Sequence, residues 1–365
     1  MKFNVSKTDL QASINAVLKG MASRSTLPIL SGILVSAKTG GEVVFETTDL
    51  DISIRHIMQA DVVEEGRVVL PGKLFADIVK ALPDAAVTIH STDDAAGVEC
   101  LGTKYTLSVL NAADFPYFPE VTTDTVVALD PKELAATVAK VAKSVSRDES
   151  RAIFTGILFS VEEGKLRLVS TDSYRLAVAD MDVSVGGIDD FQAVIPGRTF
   201  EDVARLAVNG DNISIGFAEN QIVFTFGSTT FVSRKIEGTY PNYKQLLPTS
   251  HELSIRVDTA TFVTAVKRVS LLAQASTPVH LKCTSDLQNI EVLASTKDVG
   301  TSSEMVEAEL EGADMEIGFN HQYLLDGLAS VGEECVIELS GPLKPGIMKS
   351  AEEDGFSYLV LPVRI

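Results

Sequence analysis

The chain has 365 residues, 45% of them hydrophobic, and a formal net charge of −19. That length allows two or three domains with real cores, and the composition excludes a disordered or low-complexity chain. Taken as one total, the acidic balance argues against nucleic acid as a partner, because phosphate binding needs Lys and Arg.

Chemistry-bearing motifs are missing. The cysteines (Cys100, Cys283, Cys335) are far apart and odd in number, and the five histidines are scattered. That spacing argues against a disulfide framework and against a zinc site, and a reduced, cytosolic protein is the simplest reading. Arg67 stands where a P-loop ending in Gly72-Lys73 would need its first glycine. No nucleophile elbow or dinucleotide fingerprint occurs either, so no cofactor and no metal is expected. The opening "MKFNVSKTDL" has no apolar signal core, and no run approaches the ~18 apolar residues of a membrane span.

In chain order, the first helical stretch is 7–20, with Leu10, Ile14 and Val17 on one face. "GILVS" and "TTDLDISI" follow as strand segments, then a second helix in "LPGKLFADIVKAL" at 70–82 and the loop "ADFPYFP". The same series then starts again. A helix at 131–144 carries Leu134, Val138 and Val141; "GILFS" and "STDSYRLAV" follow, then "IPGRTFEDVARLA" and "GTYPNYKQLLP". A third pass has a helix at 259–272 with Phe262, Val266 and Val269, and a weaker second helix at 318–330. Phe75, Phe200 and Tyr323 read as its repeated aromatic anchors. Pro precedes the second helix in the first two copies, where its missing N–H costs little.

The period, 123 to 128 residues, is the length of a domain and not of a solenoid unit. It predicts three similar domains, 1–122, 123–249 and 250–365. The strand runs lack strand–helix–strand alternation, so the fold class is α+β, two helices per domain packed on antiparallel sheets.

Charge is unevenly placed. Windows over the repeated helices and their turns hold fourteen Lys and Arg against eight Asp and Glu; the remainder holds seventeen against forty-two. The last helix, without a basic residue, breaks the trend. Helices facing one cavity would make it positive inside an acidic rim, a field that holds a polyanion by its phosphates without reading sequence. Solvated helix faces carrying ordinary lysines remain the plainer reading.

The cluster Asp172, Tyr174, Arg175 admits three readings: a carboxylate site of a hydrolase, a strand-end turn, or a docking place. "TDLDIS" holds the same place in the first copy but lacks the Tyr-Arg-Leu, which favours docking over scaffold.

With these segments in view, the chain resembles the β subunit of bacterial DNA polymerase III, the DNA sliding clamp family. The likeness rests on "MKF" at the start, "TLPIL" at 26–30, "TDLDI" at 48–52, "AADFP" at 112–116, "TGILF" at 155–159, "TDSYRLAV" at 171–178, "YPNY" at 240–243, "MEIGFN" at 315–320 and "LPVRI" at the end. Their order and spacing over three repeats is the specific feature. The resemblance implies a non-catalytic processivity factor: a homodimeric ring of six domains, helices lining a hole around double-stranded DNA. It implies as partners the polymerase III catalytic subunit, a separate clamp loader and other proteins with a clamp-binding motif, with no membrane.

It also implies site residues. The partner-peptide pocket comprises Thr171, Tyr174, Arg175, Leu176, Pro241, Leu246, Leu343, Val360, Leu361, Pro362, Val363 and Arg364. Leu361 and Ile365 depart from the family, where Met and Leu are common. DNA contacts fall on Arg24, Lys73, Arg151 and Arg198, and the dimer interface on Tyr105, Leu107, Leu271 and Leu272. The alternative is a peptide-binding adaptor of the same fold that does not encircle DNA.

Overall fold

The computed structural model describes residues 1–22, 26–181, 189–273 and 278–364. The first repeat contributes β1 (Lys2–Ser6), α1 (Lys7–Val17), β2 (Gly32–Lys38), β3 (Glu42–Thr48), β4 (Ile52–Gln59), β5 (Asp61–Glu64), β6 (Gly66–Pro71), α2 (Gly72–Ala81), β7 (Ala86–Ser91), β8 (Ala95–Cys100) and β9 (Thr103–Ser108). The second contributes β10 (Thr125–Leu129), α3 (Pro131–Ala142), β11 (Gly156–Glu162), β12 (Lys165–Thr171), β13 (Arg175–Met181), β14 (Phe191–Pro196), α4 (Gly197–Ala207), β15 (Ile213–Phe217), β16 (Gln221–Phe226) and β17 (Thr229–Arg234). The third contributes β18 (Leu253–Asp258), α5 (Thr259–Val269), β19 (Val279–Thr284), β20 (Asn289–Thr296), β21 (Gly300–Glu307), β22 (Glu309–Gly312), β23 (Met315–Phe319), α6 (His321–Leu328), β24 (Glu334–Leu339), β25 (Gly346–Ser350) and β26 (Phe356–Val360).

The helices form where the apolar spacing places them. Leu10, Ile14 and Val17 of α1, Leu134, Val138 and Val141 of α3, and Phe262, Val266 and Val269 of α5 are all buried. Ser6 caps α1 by accepting from the Asp9 amide, and Asp258 caps α5 by accepting from that of Thr261. In the second helices, burial equates Phe75 and Phe200 with Leu324. The anchor expected at Tyr323 is therefore one residue off. Tyr323 is half-buried and its ring lies under Arg175.

The chain divides into two compact units that do not follow the repeats: Met1–Lys132 with Asp202–Lys235, and Glu133–Glu201 with Ile236–Ile365. The first unit holds a five-stranded sheet, β5-β1-β7-β8-β9, and an eight-stranded sheet, β10-β15-β16-β17-β4-β3-β2-β6. The second holds a nine-stranded sheet, β14-β11-β12-β13-β26-β25-β24-β18-β22, and a four-stranded sheet, β21-β20-β19-β23. Pairing is antiparallel throughout the described strands, as the alternating pattern predicts.

The cause of this division is strand pairing between repeats. The last strand of repeat two, β17, pairs with β4 of repeat one from Thr229↔His56 to Ser233↔Ile52. The last strand of repeat three, β26, pairs with β13 of repeat two from Arg175↔Val360 to Ala179↔Phe356. Each join is continued beyond its ladder by the same backbone bond: the Arg234 amide to the Asp51 carbonyl (3.2 Å), and the Leu361 amide to the Tyr174 carbonyl (2.9 Å).

Candidate functional site: an exposed apolar groove

The turn between β12 and β13 explains half of the "TDSYRL" cluster. The Thr171 hydroxyl donates to the Arg175 carbonyl (2.6 Å), and the Asp172 carboxylate accepts from the amides of Tyr174 (2.9 Å) and Arg175 (3.0 Å). The first repeat builds the same turn. Thr48 donates to the Ile52 carbonyl (2.8 Å), and Asp49 accepts from the amides of Asp51 (3.0 Å) and Ile52 (2.7 Å). Leu50 and Ser173 share φ = 81° at its tip. Thr-Asp is thus a turn device that satisfies backbone donors. What distinguishes the second repeat is Tyr174, Arg175 and Leu176 in place of Asp51, Ile52 and Ser53.

Those three residues do different jobs. Leu176 is buried and belongs to an apolar floor with Leu158, Val169, Val178, Val194, Tyr240, Tyr243, Ile347 and Leu359. Thr171 and Val360 are buried beside it. Tyr174 (60% exposed), Leu246 (55%), Leu343 (67%), Leu361 (37%) and Val363 (37%) are large apolar side chains left exposed. Pro241, Pro362 and Arg364 are at least partly exposed. The tail is held by two main-chain bonds, that from Leu361 to Tyr174 and one from Val363 to Gly318 (2.8 Å). Exposed apolar side chains of this size are a feature that interaction surfaces share.

Arg175 points inward. It donates through Nε to Asp172 (3.0 Å) and through Nη1 to Asp326 of α6, its guanidinium 4.4 Å from the Tyr323 ring centre. Burial works against its charge, but Tyr358 and the two carboxylates hold its pKa above that of an ordinary arginine. It offers no free cation to a ligand. Asp326 and Tyr358 carry no mark in the sequence that would have singled them out, and Tyr323 stood out only as a repeated aromatic anchor. Tyr240 and Tyr243 do, through the "FPYF"/"YPNY" correspondence.

Arg151, expected at DNA, donates to the Ser173 hydroxyl at the tip of the turn (2.9 Å) and to Asp148 (3.0 Å). Lys73 and Arg198 are exposed at matching positions at the starts of α2 and α4, and Arg24 lies outside the described residues. Several helix cations have partners within the chain: Lys19 with Asp202 (3.0 Å), Lys140 with Glu353 (3.2 Å) and Arg268 with Glu304. At the expected dimer contacts, Tyr105 and Leu271 are exposed and Leu272 is intermediate. Leu107 faces the interior, so the outward part of β9 is Lys104, Tyr105 and Thr106.

All three cysteines are free and buried, and burial pushes the Cys283 and Cys335 thiols up to about 12. Among the described residues there is no cluster of His, Cys, Asp and Glu that could hold a metal, and no helix long and apolar enough to cross a membrane.

Three repeats of one α+β unit, joined through their sheets, define a DNA-clamp fold. The chain matches the N-terminal, central and C-terminal domains of the DNA polymerase III beta subunit over residues 1–119, 128–242 and 244–364. It is 33% identical to the beta sliding clamp of Staphylococcus aureus, covering all of this chain and 99% of that one. Among solved structures it resembles the DNA polymerase sliding clamp of Bacillus subtilis, with 29% identity, a TM-score of 0.94, and coverage of 100% and 99%. The polymerase III beta subunit of Pseudomonas aeruginosa gives 27% identity and a TM-score of 0.93 over the full length of both chains. The chain therefore belongs to the bacterial DNA polymerase III beta subunit family, the beta sliding clamps. That family is a non-catalytic processivity factor of DNA replication.

Proposed function

We propose that two copies of this chain close into a ring around duplex DNA and tether the replicative polymerase through the groove. One observation carries the reading. Both joins within the chain pair the last strand of one repeat with the strand after the Thr-ended hairpin arm of the previous repeat. By that rule β9 and β21 are the strands left over, and each ends its sheet. A second copy offers the complement of both, so these two leftover strands pair by the same rule as the joins within the chain.

Tyr105 and Leu107 on β9, and Leu271 and Leu272 after α5, then line the seam, Leu107 through its main chain. The DNA-facing set is Arg24, Lys73, Arg151 and Arg198, of which Arg151 is also a neighbour of the groove rim. The groove takes short peptides of the polymerase III catalytic subunit, the clamp loader and other clamp-binding partners. The net charge of −19 and the internally paired cations favour a second reading, an adaptor that binds peptides without encircling DNA.

A topological experiment separates the two. The protein is loaded onto nicked circular DNA with its cognate loader, washed in high salt, and the circle is then cut. Contacts to phosphate alone weaken steeply with salt. Retention through the wash and release only after cutting is the expected outcome. Loss from the intact circle with an active loader present rejects encirclement and leaves the adaptor.

A further inference from the structure

We propose that Asp326 is a positioning residue of the groove: by holding Arg175, it fixes the turn that presents Tyr174. This deepens the groove reading and rests on it. Asp326 lies on α6 and is not itself an exposed rim side chain. Its carboxylate accepts from Arg175 Nη1 and, through the other oxygen, from Gln322 (2.9 Å). The side chains of Arg175, Asp172 and Asp326 are only 11%, 13% and 19% exposed. The Tyr358 hydroxyl, 3.4 Å from Arg175, donates to the Tyr323 carbonyl (2.9 Å), so strand β26, helix α6 and the turn share one network.

The first repeat shows that the turn itself does not need this pair. There Ile52 replaces Arg175, and the turn has the same hydrogen bonds. The aspartate at the matching position of the second helix, Asp202, is paired elsewhere, with Lys19. The exposed rim there is Asp51 and Arg234, 3.5 Å apart, where the second join has Tyr174 and Leu361. The Arg175–Asp326 link therefore goes with the apolar rim, and not with the turn.

Its physical role follows from size and position. Tyr174 is mostly in water and receives little packing from its own surroundings. Its main chain is held by Asp172 and by the Leu361 amide, and its neighbour Arg175 ties the turn to α6. A guanidinium can bridge two carboxylates and stack on a ring at once; an ammonium cannot. Removing one carboxylate leaves a mostly buried cation with half its partners. The turn would remain, but its orientation over the groove would loosen.

The test uses the full-length protein. The chain has no tryptophan, so Tyr174→Trp supplies a single reporter on the rim. In that background, Asp326→Asn is expected to lower the steady-state anisotropy of the indole, and Asp326→Glu to restore part of it. In the native background, the probe is the tightest binder among labelled peptides tiling the cognate polymerase catalytic subunit. Asp326→Asn should weaken it by about tenfold, mainly through faster dissociation, at a temperature where melting shows every variant folded.

A lowered melting temperature with unchanged anisotropy and affinity would make Asp326 a purely structural residue and overturn the proposal. Loosened anisotropy with unchanged affinity would overturn its bearing on recognition. If no peptide binds the wild-type groove, the groove reading fails, while the reporter still decides whether Asp326 positions the rim.

Discussion

Leu343 stands two-thirds exposed on the loop after β24, and its side chain supports no core. A charge placed there has little folded structure to disturb but sits in the path of any apolar anchor. Leu343→Asp is expected to leave stability within about 0.5 kcal/mol and to weaken a groove-binding peptide by about 2 kcal/mol or more. Thermal melting and fluorescence anisotropy of the same samples check the two halves. At this scale the sequence was readable where residues differ between copies. Tyr174, Arg175 and Leu176 stood out because the first repeat lacks them. Their roles were not readable: Leu176 is floor, Tyr174 rim, and Arg175 a buried clamp, because the partners that decide this lie some 150 residues away in the chain. Asp172 invited a catalytic reading and is a turn acceptor, like Asp49.

Among the elements, the helices were the most legible, since each buries a face spaced at i, i+4 and i+7. The joins β4·β17 and β13·β26 were not. They are main-chain ladders between distant segments, and a ladder leaves no side-chain signature. One join carries a pH prediction. His56 on β4 meets the Thr229 hydroxyl of β17 at 2.8 Å, and burial lowers its pKa from the ordinary 6.5. The unfolded chain therefore takes up a proton at a pH where the folded chain resists it. Stability from this group is complete above 6.5 and is lost as pH falls below that value, down to the lowered pKa. Melting temperature measured from pH 7.5 downward should decline through this window, and the decline should be shallower in His56→Asn. An identical slope in both proteins would show that His56 does not set it.

For the whole molecule, the repeat pattern converts sheet topology into a statement about assembly. A chain whose two joins each consume one end strand must leave one strand of each kind, β9 and β21. An open strand edge invites a partner, and a self-complementary pair of edges closes most simply with two-fold symmetry. The chain should therefore sediment as a dimer at concentrations where an adaptor would be monomeric. Leu271, 84% exposed beside this seam, is the residue to challenge. Leu271→Asp buries a charge only if the seam forms, so it should weaken the dimer by about 2 kcal/mol, roughly thirtyfold in dissociation constant. It is not part of the buried floor of the groove, so peptide binding by the variant should match that of the native chain. Equal sedimentation of the two proteins across a dilution series would move the seam away from the 3-10 turn Ser270–Leu272, and with it the route by which the ring closes.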